Sequence, residues 1–421
     1  MGVQIIGSVD KDRVYCAGSF TKLLTTYVCL SFLKEHFDLN VIVDDEAFFD
    51  GICQNQPSKD FLQKFQKIIG SQFTIRDICS YYSGLPYTFD LSDQELASVE
   101  LGNPFKHHSI PDEKYFLEMC EKNITPIYAN RCKFHYSEIA ILFLGYIIEK
   151  IYQLDIEDLY QKYIIKQFKL QASHFARKKV ENVYIQDLSD KYDYPSIAIL
   201  DHGYFCYSNG YYTTLNDMKT LIENIVEQPV FQIMVDITKA RAASNRLLNG
   251  LTIEIRQVGD DIIYGYEGLS YSGCNIWAYS TKKKEGYITF SNNEEEVYDI
   301  IYGQFGYHDF DKVPDYTQKS YIQFLKNYDF NTLTKDIPIE YQGNYRRVRI
   351  NEKELETIFR VGDNSIVIRN PDEIKYDVMY FNNYYHTKCK DNVQGSRVGL
   401  YSANSGNKYM LYDGTLYKKI E

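Results

Sequence analysis

Long apolar runs are missing from this chain. The longest, "IAILFLGYII" over residues 139–148, falls well short of the roughly 20 residues of a membrane-spanning helix, so no span is expected. A basic balance is missing too. The 46 Lys and Arg stand against 57 Asp and Glu, a net charge of −11, which excludes nucleic acid as the main partner because phosphate binding wants a basic face. The Lys run at 282–284 is too short to change that and reads as decoration on a turn between strands. The nine cysteines include no Cys-x-x-Cys pair, which reads as scattered thiols in a reducing compartment. No Cys/His cluster has metal-ligand spacing; His107-His108, adjacent on a polar stretch, read as exposed. Neither a Gly-rich phosphate loop nor a G-x-S-x-G elbow occurs, so no cofactor is expected and a Ser/His/Asp hydrolase of the elbow type is excluded. No basic head with an apolar core follows Met1, so the expectation is a cytoplasmic protein, or an extracytoplasmic one if a leader precedes this sequence.

What is present is globular: 44% hydrophobic and 24% charged residues, with 40 tyrosines and one tryptophan. Residues 3–16 carry two short apolar segments around Asp10-Lys11-Asp12 and read as a β-hairpin. Leu23, Tyr27, Leu30 and Leu33 then give an amphipathic helix. The pattern stays mainly helical from about 61 to 227, turns to three antiparallel strands between 251 and 292, and ends in a helix from 294 to about 305. The simplest packing is an α/β sandwich: one antiparallel sheet built from both ends of this stretch, flanked by helices, with the helical part as an insertion. A polar connector at 308–338 leads to residues 339–421, where strand and turn signals alternate as in a small antiparallel β-barrel or sandwich. The expected division is therefore 1–307, 308–338 and 339–421.

Ser19 and Lys22 stand at the mouth of the first long helix. Three residues is nearly one helical turn, so the two side chains share a face. Ser19 is either a helix cap beside a solvated lysine, or a nucleophile beside a base. Ser8 and Lys11 repeat the spacing, but on the expected hairpin turn, where no helix fixes their geometry.

Four stretches in order decide between these readings. "GSFTKLLTTYVCLSFLKEHFDLN" begins with Ser-x-x-Lys; "FTIRDICSYYSGLP" spans residues 73–86; "FHYSEIAILFLGYIIE" contains Tyr136; "SNGYYTTLNDMKTLIENI" spans 208–225. Together they resemble the penicillin-binding-protein-like serine hydrolases, which take in class C β-lactamases, D-aminopeptidases, related esterases and acyltransferases. The resemblance implies a serine β-lactamase/DD-peptidase-like fold and an acyl-enzyme on Ser19, with Lys22 as general base and Tyr136 as proton shuttle. Burial is expected to lower the lysine's pKa enough for that base role. The oxyanion hole would use the backbone N–H groups of Ser19 and Leu269. The tail, with "YQGNYR", resembles the lipocalin-like β-domain that follows some members.

Two positions depart from the family pattern. Tyr266-Glu267-Gly268 stand where Lys-Thr-Gly or His-x-Gly is usual, and Glu138 replaces the asparagine of Tyr-x-Asn. Gly268 keeps the backbone open to substrate. Tyr266 offers only a hydroxyl, and Glu138 is expected to repel anionic substrates. The expected partner is thus a small-molecule or peptide acyl substrate, neutral or cationic, with the oligomeric state open. A β-lactamase or DD-peptidase, and a catalytically degenerate binding protein on the same fold, remain as alternatives.

Overall fold

The structure is a computed structural model that describes residues 2–7, 10–53, 56–69, 73–83, 85, 117, 134, 136–177, 183, 206–244, 247–258, 260–270, 272–291, 301, 303–305, 336–347, 358–362, 365–369, 374–381, 384–388, 397–402, 406–412 and 415–420. Ser8, His107-His108, the connector as far as residue 335 and most of the expected 294–305 helix lie outside the described residues.

The strands of the main sheet come from the two ends of the first 291 residues. They are β1 (Gly2–Ile5), β5 (Arg241–Ser244), β6 (Leu247–Asn249), β7 (Glu254–Val258), β8 (Asp261–Ser270), β9 (Gly273–Ser280) and β10 (Glu285–Ser291), in the order β1-β10-β9-β8-β7-β6-β5. Neighbours from β5 to β10 are antiparallel, but β1 runs parallel to β10. The sheet is therefore α/β as expected and mixed at that one edge. The stretch read as a single strand after 251 divides into β7, ending at Val258, and β8, beginning at Asp261, which pair back on each other. The lysines at 282–284 do sit on the turn between β9 and β10.

The expected hairpin at 3–16 does not form. Strand β2 (Tyr15–Cys16) leaves the main sheet and pairs with β4 (Tyr211–Thr213), which also pairs with β3 (His174–Phe175) in a small three-stranded sheet. The reason is the polar turn between the segments. Lys11 O accepts from Asn216 N at 3.2 Å and Asp12 Oδ1 from Asn216 Nδ2 at 2.7 Å, tying the turn to the helix Leu215–Ile225. The chain is carried away from β1 before it can fold back.

Helix α1 (Phe20–Lys34) is not amphipathic. Every residue from Phe20 to Leu33 is buried, as for a helix enclosed on all sides by the rest of the fold. Its hydroxyls are paired inside. Thr25 Oγ1 donates to Tyr207 O at 2.7 Å and lies 2.7 Å from the Tyr160 hydroxyl, and Thr26 Oγ1 meets Thr252 Oγ1 at 2.8 Å. Helix α2 (Glu138–Tyr152) packs against α1 and is buried from Glu138 to Ile148, so the long apolar run of the sequence is core. Among the described residues no helix is long and apolar enough to cross a membrane.

Beyond residue 336 the chain forms a closed barrel of eight strands. They are β11 (Gly343–Arg347), β12 (Ile358–Val361), β13 (Ser365–Arg369), β14 (Ile374–Phe381), β15 (Tyr384–Lys388), β16 (Arg397–Ser402), β17 (Lys408–Tyr412) and β18 (Thr415–Lys419). Each is antiparallel to the next, and β11 closes on β18. Tyr345, Val361, Ile366, Val398, Met410 and Tyr417 fill its core. This is an up-and-down barrel.

The enclosed hydroxyls of α1 give a direct test. Thr25→Val keeps the shape but leaves the Tyr207 carbonyl without its donor, at a cost of about 1–3 kcal/mol. Thermal denaturation should show a lower midpoint for Thr25→Val and a near-normal one for Thr25→Ser. Equal midpoints for Thr25→Val and wild type would contradict this account of the helix.

Candidate active site

Ser19 sits at the N-cap of α1 with helical backbone angles, φ −60° and ψ −16°, and its hydroxyl makes no capping bond. The cap reading of the sequence is therefore not the one the fold adopts. Its Oγ instead accepts from Lys22 Nζ at 2.7 Å, one turn further along. Gly18, just before, has φ +53°, and a Cβ there would lie 2.2 Å from Leu269 O and 3.1 Å from Leu269 N. Only glycine allows the backbone of β8 to come so close. A Cβ on Gly268 would likewise meet Ala17 O at 2.0 Å and Phe20 N at 3.0 Å. Gly268 thus lies against the start of α1, and the backbone of Leu269 lies against Gly18. The Leu269 side chain is exposed.

Asn275 on β9 secures this approach. Its Nδ2 donates to Ala17 O and to Gly268 O, both at 3.0 Å. Ser270 Oγ donates to Cys16 O at 2.8 Å and Ser272 Oγ accepts from Cys16 N at 3.0 Å. These three side chains tie the β8–β9 hairpin to the segment before Ser19. The sequence reading missed Asn275. No local motif marks it, and only the pairing Gly268↔Asn275 brings it to the site.

Lys22 is 0% exposed. Its Nζ donates to Glu138 Oε1 at 3.0 Å as well as to Ser19, and lies 5.1 Å from the Tyr136 ring centroid. Glu138 opens α2, whose N-cap Ser137 accepts from Ala140 N. A carboxylate in the first turn suits the helix dipole. Glu138 Oε1 also accepts from Asn209 Nδ2 at 3.4 Å. Burial lowers the lysine's pKa, but the Glu138 charge and then Tyr136, by charge and hydrogen bond, outweigh it and leave it raised. The expectation of a lysine discharged by burial is thereby reversed, because a carboxylate shares its enclosure. The expected repulsion of anions by Glu138 is corrected by the same contact: its charge is met by an ammonium group.

Tyr136 and Tyr266 belong to a cluster of phenols. The Tyr81 and Tyr266 hydroxyls are 2.9 Å apart, the Tyr81 and Tyr136 ring centroids 4.9 Å apart, and Tyr266 also hydrogen-bonds to Tyr136. Tyr266 is buried, with its hydroxyl turned to the other phenols. Burial raises both its pKa and that of Tyr81 well above the ordinary tyrosine range, with the charge of Tyr136 next. Tyr81 holds a left-handed φ of 61° just after the short helix Ile75–Cys79, which aims its ring at the cluster. Ser19, Lys22, Tyr136, Glu138, Tyr266, Gly268 and Leu269 thus come together, joined by Tyr81, Asn209 and Asn275. Among the described residues no group of three or more His, Cys, Asp and Glu is placed to hold a metal ion.

The fold is shared with known structures. An octameric penicillin-binding protein homologue from Pyrococcus abyssi superposes with a TM-score of 0.51 at 13% identity, covering 97% of this chain and 89% of that one. A D-stereospecific amidohydrolase from Streptomyces sp. gives 0.51 at 15% identity, over 70% of this chain and 88% of that one. No curated protein matches the sequence. The Beta-lactamase family model matches residues 3–299, which take in β2 to β10, all of β1 but Gly2, and every site residue named above. On that match, over most of its length, the chain belongs to the Beta-lactamase family.

Proposed function

We propose that the protein is a serine hydrolase or acyltransferase that forms an acyl-enzyme on Ser19. Family membership supports a serine-hydrolase type of activity. The observation that carries the finer reading is the 2.7 Å bond from Lys22 Nζ to a serine hydroxyl that takes no part in capping its helix. In this reading Ser19 Oγ attacks the acyl carbon, the Oγ–H bond breaks, and the proton leaves through Lys22 and Tyr136 to the departing group. The negative charge on the acyl oxygen is met by the N–H groups of Ser19 and Leu269. Water or another nucleophile then releases the acyl group.

Small neutral esters or amides are the substrates this arrangement favours. Leu269 gives the exposed side an apolar surface, and Tyr136 is half-buried. Tyr266, where a lysine or histidine would greet a substrate carboxylate, is a buried phenol. The lost interaction is a hydrogen bond to a charged group, about 1.5–3 kcal/mol, or roughly ten- to a hundredfold in rate for an anionic substrate.

Two outcomes are expected. Intact-mass analysis after exposure to p-nitrophenyl butyrate or a fluorophosphonate should find a single adduct on wild type and none on Ser19→Ala. A fluorophosphonate adduct that persists in Ser19→Ala, or no adduct on wild type, would remove Ser19 as the nucleophile. The same wild-type protein should turn over p-nitrophenyl butyrate with a kcat/KM at least about tenfold above that for nitrocefin. A preference for nitrocefin would return the reading to a β-lactamase.

A further inference from the structure

An ammonium group has three protons to place, and the buried Lys22 places them among Ser19, Glu138 and Tyr136. Two of these acceptors belong to the serine chemistry. The third is a carboxylate that faces inward: Glu138 is buried, and its Oε1 takes both Lys22 Nζ at 3.0 Å and Asn209 Nδ2 at 3.4 Å. A carboxylate so placed is a poor contact for a substrate and a strong one for the lysine. We propose that Glu138 is a positioning residue whose carboxylate is the counter-ion that keeps Lys22 an ammonium, and so sets the pH at which Ser19 becomes a nucleophile. The consequence for Ser19 rests on the hydrolase reading; the pairing of Glu138 with Lys22 does not.

The groups that face Lys22 are few among the described residues. Ser19 comes from the start of its own helix, Tyr136 and Glu138 from the entry to α2, and Tyr81 and Tyr266 face Tyr136 from the turn after Cys79 and from β8. Burial keeps Tyr81 and Tyr266 neutral beyond the ordinary tyrosine range. Asn209 is uncharged, so Glu138 is the carboxylate among the described groups that face Lys22. While the pair is intact, Nζ has no lone pair for the serine proton. In alkaline solution hydroxide takes one Nζ proton as water. The freed lone pair then accepts the Ser19 proton as Oγ bonds to the acyl carbon, and that proton passes on to the leaving group as its bond to carbon breaks.

The sign of the effect follows from the two opposing influences on Lys22. Glu138→Gln removes the charge that raises its pKa and leaves the burial that lowers it. Lys22 should then lose its proton at a lower pH than in wild type, as the loss of a nearby opposite charge requires.

The test labels lysine with 13C at Cε and follows the Lys22 resonance, assigned by its loss in Lys22→Arg, against pH. In wild type it should hold the ammonium position past pH 10.5, and in Glu138→Gln it should titrate well below that value. The rate of Ser19 acylation by p-nitrophenyl butyrate at pH 7 should rise in Glu138→Gln, by up to about tenfold for every whole pH step that the lysine midpoint falls. Superimposable titrations of the two forms would overturn the proposal. If Glu138→Gln does not fold, Glu138→Asp, which keeps the charge but withdraws it by one methylene, should titrate at a lower pH than wild type, and a titration unchanged from wild type would again overturn it. A lowered lysine midpoint without acylation of any form would leave the counter-ion role standing and remove the hydrolase reading instead.

Discussion

A fully buried ammonium group is costly to fold, and the helices and sheet around it hold its partners in place. Removing one such charge from water costs several kcal/mol even after relaxation, unless a partner of opposite sign and good hydrogen bonds meet it. Here Glu138, Ser19 and Tyr136 meet it at once. Two elements far apart in sequence must therefore stay in register: the first turn of α1, which carries Lys22, and the first turn of α2, which carries Glu138. The apolar lengths of the two helices bury against one another, and α1 also packs against β8, which holds those two turns together. The core positions a charge, and the charge in turn fixes which ends of the helices meet.

The sheet contributes by backbone rather than by side chain. At Gly18 and Gly268 two stretches of main chain approach more closely than any Cβ permits, and Asn275 bonds to both sides of the junction. A site assembled this way aligns amide groups with little dependence on rotamers. Of the side chains named at the site, that of Leu269 is the most exposed.

How much of this was legible in the sequence follows from distance along the chain. Ser19 and Lys22 were readable because a helical turn is a local rule, and three residues suffice to place them on one face. Tyr136 was readable only through its place in an ordered set of motifs, since a tyrosine among 40 carries no local signal. The pairing of Lys22 with Glu138 joins residues 116 apart, and no local pattern predicts such a contact. The departure at Glu138 was visible, but it was read as repelling anionic substrates, and the lysine was expected to lose its charge because its burial was weighed without a companion charge. The mixed sheet was hidden for a similar reason: the side-chain period shows a strand, while the polar anchor at Asn216 decides where the chain goes next. The tail was the most legible part. Its strands alternate and its turns carry Gly, Asn and Asp, and that alternation resolves into the eight strands of the barrel.

The closure of that tail has a consequence for how the protein ages. Strand β18 is bonded to β17 on one side and to β11 on the other, so it is the seam of the barrel. Proteolytic nicking that released this single strand would uncover two unpaired edges, those of β11 and β17, each a template for pairing with another chain. A small cut at the seam would thus turn a barrel with no open edges into one prone to self-association, while the bonds from Lys22 to Ser19 and Glu138 lie within the first 291 residues.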